Sequence, residues 1–134
     1  MNYKYFRENR SIVNIAGNSE GGNVLEEYTY YSITKSAFIA LTKRLAHDPR
    51  KYNIRVNAIA HGTIDTGLIR ANKTEEEIRH IFESMSSKTI LGRVGNVDKI
   101  ASIVVFLVSA DASFITGQVI VANGGRFDYL SHSI

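Results

Sequence analysis

Tyr31 and Lys35 stand four residues apart in the run Tyr31-Ser-Ile-Thr-Lys35, the spacing at which two side chains share one face of a helix. A phenol titrates near ~10 and is a poor acid or base at neutral pH. A cation within about 4–6 Å favours the phenolate by roughly one to three pK units. That brings the phenol toward the range in which proton transfer is efficient. The pair has the makings of an acid–base couple. Tyr28 lies seven residues before Lys35, two helical turns away, and is the alternative phenol if the helix reaches it. The adjacent run predicts a loop there, which favours Tyr31.

Such a pair needs a scaffold. Three short β-branched runs, Ser11–Ile15, Ile54–Ala60 and Gln118–Ala122, each lead into a glycine-bearing loop: Gly17 with Gly21 and Gly22, then Gly62, then Gly124 and Gly125. Helical patterns lie between them. Ile33, Ala37, Leu41 and Leu45 recur every fourth residue from Tyr31 to His47, drawing an apolar stripe, and Pro49 cannot continue that helix. Thr74 and Glu77 form a capping-box pattern ahead of Ile78, Ile81, Phe82 and Met85. Asn96 is placed to cap a third helix running to about Ser109. That helix is apolar on nearly every side, the mark of one buried on more than one face. Strands alternating with helices predict an α/β fold: two βαβ units sharing their middle strand in a parallel sheet. Residues 1–134 are read as a single domain.

The 134 residues contain no cysteine, which excludes disulfides and thiolate chemistry. With 44% hydrophobic residues the chain has enough apolar material for a core. The formal charge of +3 comes from basic residues scattered among acids. Nucleic-acid binding is not expected without a basic stripe. Ile100 to Val108, the longest apolar stretch, is far too short to span a bilayer. The first ten residues have no apolar core, unlike a secretory signal. The expectation is a cytoplasmic protein without a membrane segment.

Tyr31–Lys35 follows a strand reading SIVNIAG and precedes IRVNAIAHGTIDT, LGRVGN and FITGQVIVANGG in that order. From about Ser11 to Arg126 this set resembles the short-chain dehydrogenase/reductase family, and within it the 3-oxoacyl-carrier-protein reductases by default. The resemblance implies the C-terminal part of a Rossmann-type doubly wound sheet and an NAD(P)-dependent oxidoreductase. In that family the tyrosine exchanges a proton with a carbonyl or alcohol oxygen while hydride moves to or from the nicotinamide. The lysine lowers the tyrosine's pKa and holds the nicotinamide ribose. By the same resemblance Gly62, Ile64 and Thr66 belong to the loop that meets the cofactor, NAD or NADP. His61 stands where the family has proline. As a loop histidine with no identified partner it reads as a bystander.

The family's active-site serine corresponds to Gly17, which has no hydroxyl; Ser19, twelve residues before Tyr31, is the candidate replacement. The glycine-rich T-G-x-x-x-G-x-G turn that receives the dinucleotide phosphates does not occur in the sequence. Two readings follow. One is an oxidoreductase whose dinucleotide-binding half is encoded upstream or on a separate chain. The other is a non-catalytic remnant acting as an interaction or scaffold subunit. Apolar surface in excess of one sheet's needs predicts a homo-oligomer.

Overall fold

The computed structural model describes residues 10–17, 29–48 and 53–126. Its main sheet has three parallel strands in the order β1 (Ser11–Ile15), β2 (Arg55–His61), β5 (Val119–Ala122). Ser11 to Ile15 run in register with Arg55 to Ile59, and Ala58 to His61 with Val119 to Ala122. The middle strand, β2, is buried from Val56 to Ala60. A strand covered on both faces ordinarily reads as a near-continuous apolar run; in β2 the run is broken by Asn57, which is buried but satisfied, donating to the Ile115 carbonyl and accepting from the Gln118 amide.

Helix α1 (Thr29–His47) covers one face, where Leu45 and Ala46 pack with Ile54, Val56 and Ile12. Helix α4 (Val97–Val108) covers the other, where Leu107, Ile100, Ile103 and Val104 meet Val13, Ile59 and Ile120. Side chains alternate across a strand, so Val56 and Ile59 serve opposite clusters. The expected pair of βαβ units on a shared middle strand is what forms.

Local signals set the helix ends. The Thr74 side chain accepts from the Glu77 amide and the Glu77 side chain returns to the Thr74 amide, opening α3 (Glu75–Ser86). Asn96 Oδ1 accepts from the Lys99 amide at 3.1 Å and opens α4. At the far end of α4, Arg55 reaches from β2 to the carbonyls of Leu107 (2.7 Å) and Ser109 (3.1 Å). A guanidinium satisfies carbonyls that have no partner inside the helix and opposes the negative end of its dipole.

The apolar stripe of α1 is not its buried face. Ile33 and Leu41 are 61% and 42% exposed, and only Leu45 of the four stripe residues is buried. The inward face instead carries Lys35, Thr42 and Ala46 beside Leu45. Polar groups on this face have partners in β1, which compensates for their removal from water. Four short elements went unforeseen: β3 (Ile64–Asp65), α2 (Gly67–Arg70), β4 (Gly95–Asn96) and a 3-10 turn at Ala110–Ala112. Two residues show no periodicity. Pairing of Ile64 with Gly95 and Asp65 with Asn96 nevertheless fastens the loop after β2 to the start of α4.

Candidate active site

The carboxyl ends of β1 and β2 form the floor of the site, the place where open parallel sheets present ligands. Two hydrogen bonds between β1 and α1 determine which side chains reach it. Asn14 Nδ2 donates to Thr42 Oγ1 at 2.9 Å, one turn after Phe38, whose carbonyl accepts from the same hydroxyl at 2.7 Å. Lys35, seven residues before Thr42 and on the same face, donates through Nζ to the Ile15 carbonyl at 2.9 Å. Beyond the strand end, a Cβ built on Gly17 would lie 2.8 Å from Tyr31 Oη. Tyr31 sits one turn before Lys35, and the lysine ammonium is 5.5 Å from the centre of its ring. The two residues share a face, as their spacing requires. Tyr30 is 85% exposed and Tyr31 42%, so of these two it is Tyr31 that turns toward the strand.

Gly17 has φ +67, a conformation that costs other L-residues roughly 1–2 kcal/mol. A side chain there would also fill the space in front of the tyrosine hydroxyl. His61 shares that space: its Nε2 lies 3.8 Å from the same Cβ position, and its Nδ1 lies 2.8 Å from the Gly62 carbonyl oxygen. No local pattern signals this proximity, because His61 stands forty-four positions after Gly17 in the chain. Ser19 and Tyr28 lie outside the described residues.

The loop after β2 is tightly held. The Gly62 amide donates to Ala122 O at 3.2 Å. A Cβ on Gly62 would come within 2.9 Å of the Asn123 Cα, so the close approach that demands glycine here is to β5. Asn123 Oδ1 in turn accepts from the amides of Gly125 (3.0 Å) and Arg126 (3.2 Å), preserving the turn chemistry expected of asparagine. Ile64 is buried, and its Cδ1 occupies the volume that a Cβ on Gly95 would need. Thr66 is the N-cap residue of α2, yet its side chain makes no capping hydrogen bond.

Asp65 and Arg70 were not singled out from the sequence. They form a two-point ion pair at 2.7 and 2.8 Å, with Arg70 also 5.5 Å from the Phe82 ring centre. The Arg70 hydrogen bond holds the Asp65 carboxyl below the usual carboxylate range. An acid five residues before an arginine is the only sequence trace of this clamp. Among the described residues no three metal-ligating side chains cluster, and no helix is long and apolar enough to cross a membrane.

Residues 2–126 match the model of a family described as enoyl-(acyl carrier protein) reductase. This chain belongs to the short-chain dehydrogenase/reductase family. An acetoacetyl-CoA reductase of Shinella zoogloeoides is 41% identical over 117 residues, which are 87% of this chain and 46% of that protein. A 3-oxoacyl-[acyl-carrier-protein] reductase of Aquifex aeolicus is 38% identical over 117 residues, 87% of this chain and 42% of that protein. Among solved structures, the aldohexose dehydrogenase of Thermoplasma acidophilum superposes with a TM-score of 0.78 at 33% identity, over 89% of this chain and 48% of the other. A 4-hydroxyisoleucine dehydrogenase complexed with NADH gives a TM-score of 0.70 at 36% identity, over 86% and 46%. The chain spans about half the length of these relatives. The short-chain dehydrogenase/reductase family uses a nicotinamide cofactor, as that NADH complex illustrates.

Proposed function

We propose that this short-chain dehydrogenase/reductase chain carries the acid–base half of an NAD- or NADP-dependent oxidoreductase acting on a carbonyl or alcohol. One observation carries the reading. Lys35 is anchored on Ile15 O beneath the Tyr31 ring, and Tyr31 Oη stands at the open end of the sheet.

The residues present fit the nicotinamide end of a dinucleotide. Lys35 Nζ has three donors, of which one goes to Ile15, leaving two for ribose hydroxyls. Thr66 retains a side-chain hydroxyl that its helix does not use. With Ile64 and Gly62 it lines the loop assigned to the carboxamide. When bound, the nicotinamide supplies or receives hydride. Tyr31 gives or takes the proton at the substrate oxygen, and the adjacent ammonium favours its ionised form. Ser19 is assigned the hydroxyl that would steady the developing charge on that oxygen.

The partners proposed are the carbonyl or alcohol substrate, a second copy of the chain, and a dinucleotide-binding half encoded upstream or separately. The exposed face of α1, with Ile33, Ala37 and Leu41, is the surface assigned to self-association. A second reading, a non-catalytic interaction subunit, draws on Gly17 in the serine's place and on the apolar residues exposed along α1 and α4.

Turnover separates the two. Reduction of acetoacetyl-CoA by NADH or NADPH is to be measured for the chain alone and co-expressed with the dinucleotide-binding half of a relative. Activity lost in Tyr31→Phe with folding intact supports the enzyme reading. Activity that survives Tyr31→Phe and disappears in Tyr28→Phe assigns the phenol to the longer spacing. No turnover in either setting leaves the interaction subunit.

A further inference from the structure

The loop that carries Gly62, Ile64 and Thr66 runs into a helix too short to hold itself. Helix α2 has four residues and buries none of them, and a single turn is marginal on its own. Upstream, β3 is fastened to β4: Ile64 and Asp65 pair with Gly95 and Asn96, and the Gly95 amide donates to Thr63 O at 2.9 Å. Downstream, Arg70 closes the turn. Its backbone amide donates to Thr66 O at 3.2 Å. Its Nε and Nη2 donate to the two Asp65 carboxylate oxygens at 2.7 and 2.8 Å. Thr66 and its neighbour Asp65 are therefore held by the same arginine. The remaining nitrogen, Nη1, lies 3.7 Å from Glu75 Oε2, and the guanidinium carbon lies 5.5 Å from the Phe82 ring centre. Glu75 and Phe82 belong to α3, which is itself anchored by the buried Ile78. One planar side chain thus joins the loop to two helices.

We propose that Arg70 is a positioning residue for the dinucleotide: its fork on Asp65 fixes the loop at Ile64–Thr66 and ties that loop to α3. The inference rests on the reading of this loop as the one that meets the nicotinamide, and adds a residue that acts on it from behind. A two-point guanidinium–carboxylate pair sets orientation as well as distance, which a lysine ammonium does not reproduce. Exposed pairs add little to global stability, and the Arg70 and Asp65 side chains are 42% and 33% exposed. The effect of the clamp is local. It holds one conformation of a segment that packing leaves loose, so the ordering cost is met before the ligand arrives. Breaking it weakens dinucleotide binding without unfolding the protein.

Two measurements test the proposal. On the 134-residue chain without cofactor, Arg70→Gln should leave the denaturation midpoint unchanged. Amide hydrogen exchange at Ile69 and Ala71, which donate to Thr66 O and Gly67 O, should quicken about fivefold through local opening. Exchange at Val56 and Ile59 in β2 should stay as it is. Unmoved exchange at Ile69 and Ala71 overturns the clamp. So does a lowered midpoint with faster exchange throughout, which would make Arg70 a general stabiliser. In the active assembly, Arg70→Gln and Asp65→Asn should each raise the dinucleotide KM about tenfold and leave kcat within about threefold, and the double variant should be no worse than either, because both remove one interaction. Additive losses overturn the pairing. Turnover absent from every form removes the oxidoreductase reading and the proposal with it, whereas turnover with an unmoved KM overturns the proposal alone.

Discussion

Asn14 and Thr42 lock the rotation of α1 against the sheet: Asn14 Nδ2 donates to Thr42 Oγ1 at 2.9 Å, and the threonine is wholly buried. Because Lys35 lies seven residues earlier, two turns along the same face, the lock also fixes where its ammonium arrives. Tyr31 follows from Lys35 by one more turn. The acid–base pair is thus aimed by a buried polar contact some distance from it.

Thr42→Val keeps the volume and removes the hydroxyl, leaving the Asn14 amide without its acceptor. A buried donor deprived of its partner costs about 1–3 kcal/mol. Thr42→Ser retains the bond. Chemical denaturation should therefore rank valine below serine in stability, and the reverse order would show that the hydroxyl is not what holds the helix.

Gly62→Ala would force a methyl to within 2.9 Å of the Asn123 backbone. Neither side can yield easily, since the Gly62 amide is bonded to Ala122 O in the ladder. Overpacking of this kind costs about 1–3 kcal/mol. The denaturation midpoint should fall while the slope, which reports the surface exposed on unfolding, stays the same. A variant as stable as the parent would mean the β2–β5 junction is looser than these contacts require.

Glu77 should titrate below the ordinary carboxylate range, because the Thr74 amide and then the Thr74 hydroxyl donate to its carboxylate. Asp65 shifts the same way through Arg70. A carboxyl whose folded pKa is lowered adds stability above its unfolded value, near ~4.3 for glutamate, and that contribution vanishes as pH falls through the folded value. Thr74→Ala removes the hydroxyl donor, so the Glu77 midpoint should rise and the acid-side slope of stability against pH should flatten. NMR titration of the Glu77 carboxyl in both proteins is the check, and an unmoved midpoint refutes the assignment.

Self-association should follow from the apolar residues that the described fold leaves exposed. Ile33 and Leu41 on α1, and Val105, Phe106 and Val108 on α4, all face outward. Large exposed apolar patches are rare on monomers, and each of the two helices leaves large apolar side chains in solvent. Sedimentation at low micromolar concentration is expected to give a dimer or larger species, and Ile33→Glu with Leu41→Glu should shift it toward monomer if α1 is the contact. A sharp monomer peak for the unmodified chain would contradict the prediction.

Much of this was legible in the residues themselves. The runs Ser11–Ile15, Ile54–Ala60 and Gln118–Ala122 are dense in β-branched side chains, and local propensity and pairing agree there, so each strand lies within a residue of its expected limits. Thr74 with Glu77, and Asn96 before Val97, are helix starts whose physics is confined to four consecutive residues, and both form as their chemistry dictates. The Tyr31–Lys35 spacing guaranteed a shared face wherever the helix lay. Its rotation was not encoded so locally. An apolar stripe ordinarily marks the buried side, yet α1 turns Ile33 and Leu41 outward because Thr42 and Lys35 find partners in β1 at 2.9 Å. Only the packed sheet could supply those partners. The same holds for His61 and Gly17. In the chain they stand far apart, and the parallel pairing of β1 with β2 brings both strand ends to one edge, where Gly17 lies close to both His61 and Tyr31. Spacing determined which residues could work together; the register of the strands decided which ones face each other.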